Sequence, residues 1–434
     1  MSAPQTPSVR STDRDDLPGA QRWPWVTHAS WAVADQGLFA GAGFAVNVLL
    51  ARWLGAGEYG AFTVGFGAMT FLAAIHVGLL AEPMGVFGPG RYRARFHAYM
   101  GAVVWGHLLL AIPAALLLVA AGGVAWVAGS RALWVALAGF GAACPVVLLL
   151  WLLRRASYIR GEPRHAAVAG AGYAIVVVVG LAMLERSGRL SIGGAIAVTG
   201  VASLLAVAWL LAAFRPDLRA VDRAFFREVV VEHRRFGRWG VGTGVLYFAT
   251  GQLFYLLLPL RGGLGDTGAL RALVTLTTPM LLVSTACAAV LGPALVRARG
   301  TPAFGRRLRT ALLAVSGVAI GYGLFIGLFN QWLLDVAYGG RYTDYGQWLW
   351  VLALAIPAAA AAELLAAALR AVERPDRVFR AYAISAGVAV VIGGGLILAF
   401  GLPGAAVAVA LSALAAAGML GWGYSVSGAS GEGA

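Results

Sequence analysis

The chain has 434 residues, of which 60% are hydrophobic and only 12% charged, with a mean hydropathy of +0.79. A water-soluble domain carries about 25% charged residues, so this composition excludes an ordinary soluble fold and points to an all-α, polytopic membrane protein. The formal charge of +14 comes from 33 basic residues, every one arginine. They fall between apolar segments, which makes them topology signals and excludes nucleic acid as the expected partner.

Residues 1–27 are polar and contain proline, without the charged and apolar regions of a signal peptide; they are expected to form a disordered cytoplasmic tail. Twelve segments then follow that are long and apolar enough to cross a bilayer, which takes roughly 20 residues each. Six lie at 28–50, 61–82, 98–121, 131–152, 165–185 and 192–214. Six more lie at 238–260, 269–296, 311–330, 347–370, 381–401 and 404–426, leaving a short tail at 427–434. Arginines are distributed 26 to 7 between alternate sides of this map. That bias predicts both termini, and the arginine-rich side, in the cytoplasm.

The longest connection, 215–237, places Leu218, Val221, Phe225, Val229 and Phe236 near one helical face, with arginines around the rest. It is expected to be an amphipathic helix on the inner leaflet. It divides the chain into an N-lobe, 28–214, and a C-lobe, 238–426. A short repeat supports the division. "LGAGEYGAF" (Leu54 to Phe62) returns as "GGLGDTGAL" (Gly262 to Leu270), so that Gly60 falls on Gly268 and Glu58 on Asp266 at an offset of 208. The glycines permit a tight turn, and each carboxylate stands where it caps a helix start. Six spans followed by six in the same orientation are parallel repeats about an axis along the membrane normal, a transporter plan with a central cavity.

The stretch "ADQGLFAGAGFAVNVLLARWLGAGEYGAFTVGFG" (Ala34 to Gly67) resembles the first two spans of the polysaccharide-exporting flippases of the O-antigen (Wzx) type. These belong to the multidrug/oligosaccharidyl-lipid/polysaccharide (MOP) superfamily, with the MATE drug exporters and the lipid II flippases. The resemblance implies a MATE-like fold and export of a polyprenyl-pyrophosphate-linked oligosaccharide, an O-antigen or exopolysaccharide unit, across a bacterial inner membrane. It further implies alternating access driven by Na⁺ or H⁺, no bound cofactor, and contact with membrane lipids, a glycan polymerase and export machinery. Lipid II flippases carry arginines inside their early helices. Spans one and two here have none, which argues against lipid II as cargo.

Charge inside a span costs about 2.5–3.5 kcal/mol on insertion scales and marks candidate sites. Asp35 in span one, His76 and Glu82 in span two, and Glu363 in span ten are the candidates for carrying a coupling proton or Na⁺; His107 in span three is a further proton relay. Asn47 shares a helical face with Gln36 and is a candidate for substrate binding. In span seven Tyr247, Gln252 and Tyr255 offer hydrogen bonds and rings to a sugar. A pyrophosphate calls for arginine, whose planar fork donates two parallel hydrogen bonds. Arg154 and Arg155, following span four, are the first candidates, and Arg52 and Arg261, at the outer ends of spans one and seven, are the alternatives.

Enzyme motifs are absent: the sequence holds no G-x-x-x-x-G-K-[ST], no H-E-x-x-H and no metal-spaced histidine cluster. Cys144 and Cys287 both fall in apolar segments and make no disulfide framework. Two rival readings stand beside the flippase. One is a small-molecule exporter on the same scaffold; the other is a membrane glycosyl polymerase or ligase, which the short outer loops disfavour.

Overall fold

The structure, a computed structural model, describes residues 24–429. Helix α1 (Pro24–Trp53) begins inside the first segment expected as a tail, and the last helix, ending at Ala429, runs into the second; residues 1–23 and 430–434 lie outside the described residues. The first half continues through α2 (Ala56–His76), a π turn at Val77–Ala81, α3 (Glu82–Phe87), α4 (Phe96–Val127), α5 (Arg131–Ile159), α6 (Pro163–Arg186) and α7 (Ile192–Phe214). The second half comprises α8 (Arg223–Gly251), α9 (Leu253–Leu257), α10 (Gly263–Thr275), α11 (Thr278–Arg297), α12 (Pro302–Leu328) and α13 (Asn330–Tyr338). It closes with α14 (Gln347–Ala371), α15 (Pro375–Gly387), α16 (Gly394–Phe400) and α17 (Leu402–Ala429). Among the described residues eleven helices are long and apolar enough to cross a membrane, and the bent α8–α9 pair, taken as one span, makes a twelfth. The all-α plan of about twelve spans in two six-span lobes is thus realised.

Helix starts follow local chemistry. Ser130, Ser191 and Asp222 accept hydrogen bonds from backbone N–H groups three residues on, filling donors that a first turn leaves free. Pro163, Pro302 and Pro375 open α6, α12 and α15, where the missing N–H costs nothing. Inside span two the same residue acts differently. Pro83 lacks an N–H, and the turn before it widens to π geometry at Val77–Ala81. Between α8 and α9 the axis bends by 63° at Gln252, beside Gly251 and seven residues before Pro259.

The repeated motif is a helix crossing. A Cβ on Gly60 would collide with the carbonyl of Leu264, and a Cβ on Gly268 with the carbonyl of Ala56. Both contact pairs are related by the offset of 208, so the crossing of α2 and α10 is self-complementary about a two-fold axis. Backbones meet there because neither residue carries a side chain. Glu58 also caps α2 by accepting from the Gly55 N–H at 3.3 Å, as the sequence predicts. Asp266 instead accepts from the hydroxyl of Tyr345 at 3.2 Å. Around the crossing Arg52 donates to the Val336 carbonyl at 2.7 Å and Arg341 to the Leu54 carbonyl at 2.8 Å. The arginine-poor ends of the two halves are therefore tied together.

Of residues 215–237, expected as a separate helix on the leaflet, 215–222 are not helical and 223–237 run straight into α8. Their apolar face packs on protein: Phe225 meets Tyr92 and Phe236 meets Phe87, with ring centroids 5.8 and 5.7 Å apart, and Val229 is buried. Below them Gly237 and Gly240 let α8 press against the backbone of the π turn at Gly78.

Candidate functional site

Two polar stations lie along α1. The first is near the arginine-rich end. Asp35 is fully buried and receives both a 3.2 Å bond from Arg154 Nε and a 2.8 Å bond from Arg154 Nη2. The Tyr158 hydroxyl donates to the same carboxylate, and the Gln36 amide donates to Tyr158 at 3.4 Å. The Arg154 guanidinium lies 3.6 Å from the centre of the Phe39 ring. This is a fork-to-fork pair with its cation stacked on an aromatic face. The sequence assigned Asp35 to a coupling ion and Arg154 to the headgroup; the structure joins them in one ion pair. Arg154 and Tyr158 reach Asp35 together because they are four residues apart on α5.

The second station lies twelve residues further along α1, about 18 Å at 1.5 Å per residue. Asn47 Oδ1 accepts from Tyr59 at 2.9 Å and from Arg271 Nε at 3.0 Å. Arg271 sits on α10, where α1 and α2 of the first half meet the second. Its guanidinium carbon lies 5.2 Å from the Tyr255 ring centre and 5.9 Å from that of Phe66. Among the described residues no carboxylate pairs with it. Asn47 and Tyr255 were singled out by sequence. Arg271 was not, although it falls within the predicted eighth span, 269–296. An arginine inside an apolar run was the signal that would have found it.

Between the stations lies a cavity of about 100 Å³, lined by Phe39, Asn47, Phe62, Phe66, Trp151 and Tyr173 among others. Aromatic faces and an amide suit a sugar ring. The other candidates are dispersed. Glu82 has Arg155 as its charged neighbour, and Glu363 has Arg370. Tyr247, which is exposed, packs on Tyr382 with ring centres 4.8 Å apart. Gln252 stands at the α8–α9 bend, where its Oε1 is buried without a hydrogen-bond partner. Arg52 is used in the inter-half tie, and Arg261 is exposed at the end of the bent span.

His76 and His107 are also brought together, Nε2 to Nδ1 at 2.9 Å, both buried. No group of three or more metal-ligating side chains occurs among the described residues.

No protein-family model matches the sequence, and no curated relative is found. Among solved structures, the chain is similar to an inward-facing multidrug resistance MATE family transporter of the MOP superfamily. The TM-score is 0.73 at 15% identity, covering 93% of this chain and 98% of that one. The lipid II flippase MurJ, in an inward closed conformation, gives 0.74 at 13% identity over 92% of this chain and 87% of its own. A MOP superfamily transporter from Pyrococcus furiosus gives 0.63 at 14% identity, over 93% and 95%. What these share with the present chain is the fold, which is MATE-like.

Proposed function

We propose that the protein is a flippase that moves a polyprenyl-pyrophosphate-linked oligosaccharide across the bacterial inner membrane by alternating access. The observation that carries this reading is the charge balance of the interior. Asp35 is ion-paired with Arg154, and Arg155 and Arg370 are the cations whose charge acts on Glu82 and Glu363, while among the described residues no carboxylate pairs with Arg271. An interior with a surplus cation receives an anion. A cationic drug would need the reverse, a carboxylate left unmatched. This charge balance favours the flippase over the small-molecule exporter, whose fold matches equally well.

With the arginine-rich face taken as cytoplasmic, the headgroup enters past Arg155, which is exposed, and is drawn to Arg271. Arg271 supplies a planar donor fork to phosphate, and the aromatic cavity beside Asn47 receives the first sugar. Moving bare charge into low dielectric costs several kcal/mol, and the guanidinium offsets that cost. His76, Glu82 and Glu363 are the carriers this reading assigns to a coupling H⁺ or Na⁺, and Asp35, held by Arg154, is a structural partner. The glycan polymerase and export machinery are the partners this reading places downstream.

The test is translocation in proteoliposomes of a fluorescent polyprenyl-pyrophosphate sugar, run beside efflux of an organic cation dye. The expected result is movement of the lipid-linked sugar, reduced at least tenfold by Arg271→Gln with normal abundance. Dye efflux without sugar translocation would assign the protein to the exporter class.

A further inference from the structure

A second cavity lies on the outside of the first half, away from both stations. Its volume is about 500 Å³, within the ~300–1,000 Å³ typical of small-molecule sites. The π turn contributes Leu79 and Leu80, α4 contributes Leu109 and Leu110, and α8 contributes Val230 and Val241. Leu109 and Val230 are exposed, so the slot opens sideways, toward where lipid lies around a membrane helix. Only His233, Arg234 and Arg238 bring polar groups to its wall.

Those three play different parts. The His233 ring is fully committed: Nδ1 faces the Leu79 carbonyl at 3.1 Å and Nε2 faces the Tyr99 hydroxyl at 2.7 Å. A carbonyl only accepts, so Nδ1 carries the proton and Nε2 accepts from Tyr99. His233 therefore shows the slot no spare donor. Arg234 and Arg238 are exposed, stand one helical turn apart and have no carboxylate partner among the described residues. The acids nearby on α8 are occupied elsewhere: Glu228 and Glu232 both pair with Arg91. Two like charges at this spacing weaken a helix slightly, and an anion held between them removes the repulsion. Trp239, which is exposed and lies 5.4 Å from the Arg238 guanidinium, is the type of residue that settles at headgroup level.

We infer that this slot binds an anionic glycerophospholipid of the surrounding leaflet, one acyl chain against Leu79, Leu109 and Val230 and the phosphate between Arg234 and Arg238. Basic pockets between membrane helices hold lipid headgroups in this way. The bound chain lies against both α8 and the π turn, beside the Gly78, Gly237 and Gly240 contact, so it clamps α8 to the first half. The inference is independent of the flippase reading.

The test uses the full-length protein in detergent, titrated with phosphatidylglycerol or phosphatidylcholine. Retained lipid is counted by mass spectrometry of the intact complex, and thermal unfolding is followed in parallel. The wild type is expected to retain phosphatidylglycerol at least tenfold better than phosphatidylcholine and to unfold at higher temperature with it. Arg234→Gln with Arg238→Gln should abolish that preference. Val230→Trp, which fills the slot and keeps both arginines, should also reduce retention. Each variant is checked for a monodisperse gel-filtration peak, and Arg234→Lys with Arg238→Lys serves as the charge-preserving control should the glutamine pair misfold. Equal retention of the two lipids by the wild type, or undiminished preference in the glutamine pair, would overturn the proposal. So would equally tight binding of glycerophosphoglycerol alone, because the slot would then recognise phosphate without a chain.

Discussion

The Asp35–Arg154 pair illustrates how little a buried charge reveals when read alone. Either ion by itself is expensive, and the pair is tolerable because two guanidinium donors, a tyrosine hydroxyl and an aromatic face together satisfy it. Removing one partner strands the other, a loss of about 3–5 kcal/mol in buried pairs, whereas replacing both with apolar residues of similar size is often close to neutral. Asp35→Asn and Arg154→Met are therefore each expected to lower thermal stability sharply, and the Asp35→Leu, Arg154→Met double variant to recover most of it. If the double variant is as unstable as the singles combined, the two residues are not a stabilising unit. A structural pair also predicts that translocation by the double variant, once corrected for abundance, falls far less than in Arg271→Gln. Loss of gradient dependence in the double variant alone would instead return Asp35 to its sequence-assigned coupling role.

At the scale of elements, the α2–α10 crossing joins the two halves at their arginine-poor ends. Gly60 and Gly268 each face a carbonyl of the opposite helix at a separation that admits no Cβ. Overpacking a close contact costs about 1–3 kcal/mol, and here the cost falls on the closed arrangement alone. Gly60→Leu and Gly268→Leu should consequently shift the protein toward a form in which the arginine-poor ends part. The expected readout is faster thiol labelling at Asn47→Cys from that side, in a background with Cys144 and Cys287 replaced by serine. Unchanged labelling would mean that the crossing is held by other contacts, of which the Arg52–Val336 and Arg341–Leu54 ties are the first to examine. The sequence marked this motif as a turn with capping carboxylates. That holds for Glu58 with Gly55, but the glycines one turn into each helix serve the crossing itself. An isolated glycine-rich copy carries no information about which distant helix its backbone will touch.

At the scale of the whole molecule, the uneven arginine distribution predicts that both termini share the arginine-rich side. Cysteines at Ser187 and Arg219, in the same serine background, should label from opposite faces of the membrane. Labelling of both from one face would dismantle the six-plus-six plan. Hydropathy and charge alone determined the class, the number of spans and their order, because the bilayer imposes a length and a composition on each crossing segment independently of its neighbours. The offset repeat determined that the halves are parallel. Tertiary structure decided everything that depends on which helices touch. It paired Asp35 with Arg154 across 119 residues and Asn47 with Arg271 across 224. It set His76 against His107 and laid the face of residues 223–237 on protein where lipid was expected. Helical periodicity states which residues share a face but not what that face meets, and lipid and protein interior are both apolar surroundings for it. Arg271 is a candidate because three helices from two halves converge on it, and the spacing of residues along any one of them does not encode that convergence.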